Sequence, residues 1–102
     1  MRDCRIFLNQ ERGGIMIERH IIIRGKSGLL NNQATFFVQK ANEFESKIWI
    51  EYRNKKLNAK SLLGVLSMEI VEGSEITLIA DGSDAETALD ALEELTRHDV
   101  YY

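Results

Sequence analysis

The apolar positions of this chain change period several times, and each change marks an element. Ile21-Ile22-Ile23, a β-branched run bounded by Gly25 and Gly28, predicts a strand over Ile17 to Lys26. Ala34, Phe37, Val38 and Ala41 then recur at three-and-four spacing behind Asn31 and Asn32, either of which supplies a cap. This predicts an amphipathic helix to about Asn42, with Phe36 off its buried stripe. Ile48, Ile50 and Tyr52 alternate with Lys47, Trp49 and Glu51, and the polar turn Arg53-Asn54-Lys55 leads into a short strand around Leu57, which predicts a hairpin. A short helix is expected behind Ser61. After Glu72-Gly73-Ser74, Ile76, Leu78 and Ala80 alternate along another strand. Ser83-Asp84-Ala85-Glu86 matches a capping box, and Ala85, Ala88, Leu89, Leu92 and Leu95 or Thr96 carry a helical stripe that closes on Arg97 and His98.

The order strand, helix, strand, strand, short helix, strand, helix (βαββαβα) predicts an α+β open sandwich, a four-stranded antiparallel sheet with three helices on one face. Residues 1–15 fall outside this pattern. They have no clear period, and Glu11-Arg12-Gly13-Gly14 can be encoded by purine-rich triplets like those of a bacterial ribosome-binding site, one residue before Met16. A non-native or disordered extension is expected there, with Met16 as the biological start and one domain over 16–102.

Composition narrows the function classes. The 102 residues are 44% hydrophobic and 28% charged, the balance of one globular domain. A net charge of -3 argues against direct nucleic-acid binding, which needs clustered Lys and Arg. No apolar run approaches the roughly 20 residues of a membrane span, so a cytoplasmic protein without a membrane partner is expected. Cys4 has no internal partner for a disulfide and is read as incidental. His20 and His98 have no His or Cys at ligand spacing, so no metal site is expected. His98 is read as a favourable charge at a helix end and His20 as marking a strand edge. Neither a Gly-rich phosphate loop nor a nucleophile elbow is present, so an enzyme is not expected and no cofactor is implied.

The informative stretch is Asn58-Ala59-Lys60-Ser61-Leu62-Leu63-Gly64-Val65-Leu66-Ser67. A serine at a helix start can accept from the amide of Leu63 or Gly64, the plain reading being a cap. A phosphate on the same oxygen would face the helix N-terminus and the nearby Lys60. Leu62, Leu63, Val65, Leu66 and Met68 are too many apolar residues for one face of so short a helix. Some of them are expected at the surface, as a docking patch beside a modifiable hydroxyl.

Phe37-Val38-Gln39-Lys40-Ala41-Asn42, the serine stretch and Glu75-Ile76-Thr77-Leu78-Ile79-Ala80, followed by the last helix, resemble the HPr family of the bacterial sugar phosphotransferase system. The resemblance covers about Glu18 to Thr96 and implies the same open-faced sandwich. In that family a histidine within Gly-Ile-His-Ala-Arg-Pro-Ala carries phosphate from enzyme I to sugar-specific acceptors. Here the aligned stretch is Gly28-Leu29-Leu30-Asn31-Asn32-Gln33-Ala34, so Leu30 takes the histidine's place, Asn32 the arginine's and Gln33 the proline's. Leucine has no lone pair to attack phosphorus and asparagine no charge to steady a phosphoryl group, so the carrier function is expected to be absent.

The resemblance also implies a regulatory site at Ser61, matching the serine that an ATP-dependent kinase/phosphorylase modifies in Gram-positive bacteria and that then binds the catabolite control repressor. Lack of the histidine with retention of the serine is similar to the Crh branch, although that branch generally keeps the arginine and proline missing here. Leu30, Asn32, Phe36, Lys60, Leu62, Leu63 and Leu66 are the expected partner-binding residues, with Leu30 and Phe36 expected to be exposed and Leu29 divided between core and surface. The leading expectation is a non-carrier regulator in carbon catabolite repression, phosphorylated at Ser61. The alternative is an unmodified interaction module using the apolar corner around Leu30 and Leu63, or self-associating as a homodimer by exchange of the first strand about Gly25 to Gly28. A phosphocarrier that recruits His20 or His98 ranks below both, since neither aligns with the family site.

Overall fold

Five consecutive residues from Ile76 to Ala80 are buried, because the strand that holds them lies in the middle of the sheet and is covered on both edges. The computed structural model describes residues 4–9 and 14–99. In chain order the elements are β1 (Cys4–Asn9), β2 (Gly14–Ile22), α1 (Asn32–Ala41), β3 (Lys47–Tyr52), β4 (Lys55–Asn58), α2 (Leu62–Ser67), β5 (Glu75–Asp81) and α3 (Ala85–Leu95). The sheet runs β1-β2-β5-β3-β4 with every pairing antiparallel. Ile17 and Ile21 of β2, Ile48 and Ile50 of β3 and Ile76 and Leu78 of β5 form the floor of one core. Onto it pack Ala34, Phe37, Val38 and Ala41 of α1, Val65 of α2 and Ala85, Ala88, Leu89 and Leu92 of α3. Phe37 is fully buried, a contribution of about 1.5–3 kcal/mol.

The α+β open sandwich and its three helices are as expected; the strand number is corrected from four to five. Residues 4–9 pair with β2 from Cys4↔Arg19 to Asn9↔Gly14, so this part of the extension is ordered β-structure. The cause is the long edge of β2, whose unpaired backbone groups accept a neighbouring segment containing Ile6, Phe7 and Leu8. Of the other residues of the extension expected over 1–15, Gly14 and Ile15 begin β2, and 1–3 and 10–13 lie outside the described residues. The first core strand also runs over Gly14–Ile22 instead of Ile17 to Lys26. It ends early because the N–H groups of Arg24 and Gly25 both turn to the carbonyl of Thr96.

Two caps differ from expectation. Asn31 precedes α1 at φ 51°, ψ -125°, with no side-chain cap. At α3 the N-cap is Asp84 instead of Ser83, and its side chain does not cap the helix. Its carboxylate accepts from the N–H groups of Glu45 (2.9 Å) and Ser46 (3.0 Å) and from the Ser46 hydroxyl, so it is spent on holding the loop before β3. The β3–β4 hairpin closes on two residues, Arg53 (φ 50°) and Asn54 (φ 65°), with Tyr52 opposite Lys55.

Arg19 is the charged residue that the pattern conceals. It lies on the helix face of β2 at 5% exposure, and its Nη1 reaches Asp90 (2.6 Å) and Glu93 (3.3 Å) of α3. Burial is the largest single influence and opposes its charge, but the hydrogen bonds and charge interactions with Asp90 and Cys4 together outweigh it, and its pKa is raised.

Candidate regulatory site

The serine segment is built from β4 forward. Ala59 is fully buried and its N–H donates to the carbonyl of Ile48 (2.9 Å), which pins the end of β4 to β3. Asn58 then folds the chain: its Oδ1 accepts the Lys60 N–H (2.8 Å) and its carbonyl accepts the Ser61 N–H (3.1 Å). Ser61 is extended (φ -103°, ψ 114°) and caps α2. Its Oγ accepts the N–H of Gly64 (3.2 Å), and its carbonyl accepts that of Val65 (3.0 Å). The hydroxyl is half-buried at the start of the helix.

Lys60 does not reach over Ser61. Its Nζ donates to the carbonyl of Phe44 (2.7 Å) beyond the end of α1, where lysine complements the unpaired carbonyls. Asn42 adds a second tie, with its Nδ2 3.4 Å from the Lys60 carbonyl and 2.9 Å from that of Val38. The serine segment is therefore fastened to the C-terminal end of α1.

α1 and α2 pack side by side, so the segments 30–36 and 60–66 lie on neighbouring elements of the helix layer. Leu63 is 81% exposed and Leu62 38%, while Val65 is buried and Leu66 is half-buried against the core. Asn32 is exposed at the start of α1. The exposure expected for Leu30 and Phe36 is corrected: both are half-buried. Leu30 sits in a tight turn, its N–H donating to Ser27 and its carbonyl accepting from Gln33, and Phe36 flanks the α1 stripe on a helix packed against α2. Leu29 is core at 2% exposure. The apolar surface of the corner thus belongs mainly to α2.

His20 lies on the sheet face opposite the helices, since its neighbours Arg19 and Ile21 point into the helix side; its Nδ1 is 2.9 Å from the Thr77 hydroxyl. His98 is exposed beyond α3. Neither faces the corner formed by α1 and α2. Among the described residues no group of three or more His, Cys, Asp and Glu could hold a metal ion, and no helix is long and apolar enough to cross a membrane. Sequence reasoning missed Asn42 and Asn58 as the residues that hold the serine segment; the Asx-turn chemistry of Asn58 was the available signal.

A family model described as the PTS HPr component phosphorylation site matches residues 17–98. The chain belongs to the HPr family. It is 47% identical over 77 residues to the HPr-like protein Crh of Halalkalibacterium halodurans, covering 76% of this chain and 92% of that protein. It is 40% identical over 85 residues to Crh of Bacillus subtilis, covering 83% of this chain and all of the relative. The HPr crystal structure from Bacillus anthracis superposes with a TM-score of 0.78 at 43% identity, over 79% of this chain and 96% of that one. A crystal structure of Bacillus subtilis Crh, described as a domain-swapped dimer, gives 0.65 at 40% identity, over 80% and 94%. This chain is a Crh-like HPr homologue, and β1 lies outside the span matched by the HPr model.

Proposed function

We propose that this HPr homologue is a cytoplasmic regulator without carrier activity, phosphorylated on Ser61 by an HPr kinase/phosphorylase and then acting with a catabolite control repressor in carbon regulation. The observation that carries the reading is the placement of Ser61 Oγ at the start of α2, directly beside the exposed Leu62 and Leu63. In the transfer, Oγ attacks the γ-phosphorus of ATP, its proton passes to a base of the kinase, and ADP leaves. The product carries about -1.5 to -2 charge beside an apolar patch and offers a recognition feature without refolding the domain. Leu30 in the carrier position removes the nucleophile that phosphoenolpyruvate-derived phosphate needs.

The test is intact mass after incubation with an HPr kinase/phosphorylase and ATP, with Ser61→Ala in parallel. One added phosphate on the parent and none on the variant is expected. No phosphate on the parent, while a known HPr substrate is labelled in the same tube, refutes the switch and leaves Ser61 as a cap.

A second reading is self-association. It is favoured by the swapped dimer of Bacillus subtilis Crh, together with the two glycines, Gly25 and Gly28, in the loop after β2. Light scattering across a concentration series tests it; a monomer mass at every concentration rejects it.

A further inference from the structure

The loop between β2 and α1, residues 23–31, is held from outside by the far end of the chain. The N–H groups of Arg24 and Gly25 donate to the Thr96 carbonyl, both at 3.0 Å. Ser27 donates twice to Asp99, its N–H to Oδ1 at 2.9 Å and its hydroxyl to Oδ2 at 2.8 Å. Gly25 is buried beneath this contact, and a Cβ there would lie 3.0 Å from both Asp99 Oδ1 and the His98 carbonyl carbon. Inside the loop the Gly28 N–H donates to the Gly25 carbonyl at 3.0 Å, closing a tight turn in which Gly28 has φ +59°.

A terminal element exchanges between two copies by straightening the loop that joins it to its own domain. In this chain the N-terminal element is the β1–β2 hairpin and the joining loop is residues 23–31. Straightening it separates Ser27 from Asp99. The geometry points to Asp99 as a latch on this hinge, a carboxylate whose two oxygens hold one residue of the loop and so set the rate at which the hairpin leaves its own domain for a second copy. This inference rests on the self-association reading above. The latch is on the surface and shares no side chain with the core, so it can be removed without a cavity.

The experiment holds the full chain at high concentration, samples it over time, and separates monomer from dimer after dilution by size exclusion with light scattering. Exchanged dimers persist on dilution because the hairpins must leave again, whereas surface-associated dimers dissociate at once. Asp99→Ala and Ser27→Ala are each expected to speed dimer formation roughly tenfold, the scale of two exposed hydrogen bonds, and adding Ser27→Ala to Asp99→Ala is expected to change nothing more, since the Ser27–Asp99 contact is already gone. Ser27→Thr keeps both donors and is expected to match the parent. Equal rates in the parent and both alanine variants overturn the latch while leaving self-association intact. The absence of dimer in every sample overturns the self-association reading, and the latch with it.

Discussion

Ser61→Ala removes the side-chain acceptor of the Gly64 N–H at the start of a six-residue helix. Loss of such a cap costs about 1 kcal/mol, within a range of about 0.5–2. For a domain near 100 residues this lowers Tm by about 4–8 °C. The value should not fall at the bottom of the range, because α2 has no acidic residue in its first turn to share the role and depends on Val65 for its buried contact. Ser61→Asp keeps an acceptor at the same place and adds a charge of the favourable sign, so it should unfold within about 0.5 kcal/mol of the parent. Urea unfolding of parent, Ala and Asp variants, read by Trp49 fluorescence, measures both. Equal stability of Ser61→Ala and parent would falsify the cap. A large loss in Ser61→Asp would instead show that this helix start does not accept negative charge, and would count against a phosphate there as well.

Arg19→Ala should cost about 2–4 kcal/mol by leaving Glu93, 11% exposed at its side chain, without its buried cation, while the Arg19→Ala/Glu93→Ala pair should cost less than the sum; denaturant midpoints of the cycle decide this. The Asp84 carboxyl is held below its ordinary value of 3.8 chiefly by the hydrogen bond from the Ser46 hydroxyl, with burial opposing and the Glu45 and Ser46 N–H groups adding to it. Because the folded pKa is the lower one, its contribution is present above about pH 4 and is lost as pH falls through the folded value; Asp84→Asn should flatten that acid limb in urea titrations between pH 5 and 2. Beginning the chain at Met16 should preserve the fold at a cost of about 1 kcal/mol or less, since among the described side chains none before Ile17 belongs to the core; loss of the cooperative transition would show β1 to be integral.

What could be read from sequence was the part governed by local periodicity. The α1 and α3 stripes and the β3 alternation name the same residues that are buried, because an amphipathic element can hide only one face. The family's serine segment was legible for another reason, a dense run of specific residues. What escaped was tertiary. Residues 4–9 are too short to display a period and become a strand only because β2 offers an edge. The capping box placed the start of α3 one residue early, at Ser83, and gave no sign that the Asp84 carboxylate would serve a neighbouring loop, which only the position of Ser46 decides. Leu30 and Phe36 carry no mark in the sequence that they would be half-buried.

The charge balance of the corner gives the proposed switch its contrast. Leu30, Asn32, Leu62 and Leu63 carry no charge, Lys40 is paired with Glu43 at 3.3 Å, and Lys60 keeps its positive charge but holds it at the Phe44 carbonyl beyond the end of α1. In the unmodified state a partner therefore meets a nearly neutral apolar surface, whose binding depends little on salt. A phosphate on Ser61 becomes the dominant charge there, so any affinity it adds must be electrostatic and must weaken as ionic strength rises. Partner binding measured from about 50 to 500 mM salt should show a steep slope for the phosphorylated chain and a shallow one for Ser61→Ala. Parallel slopes would mean that the partner reads the leucines alone, and the interaction-module reading would then replace the switch.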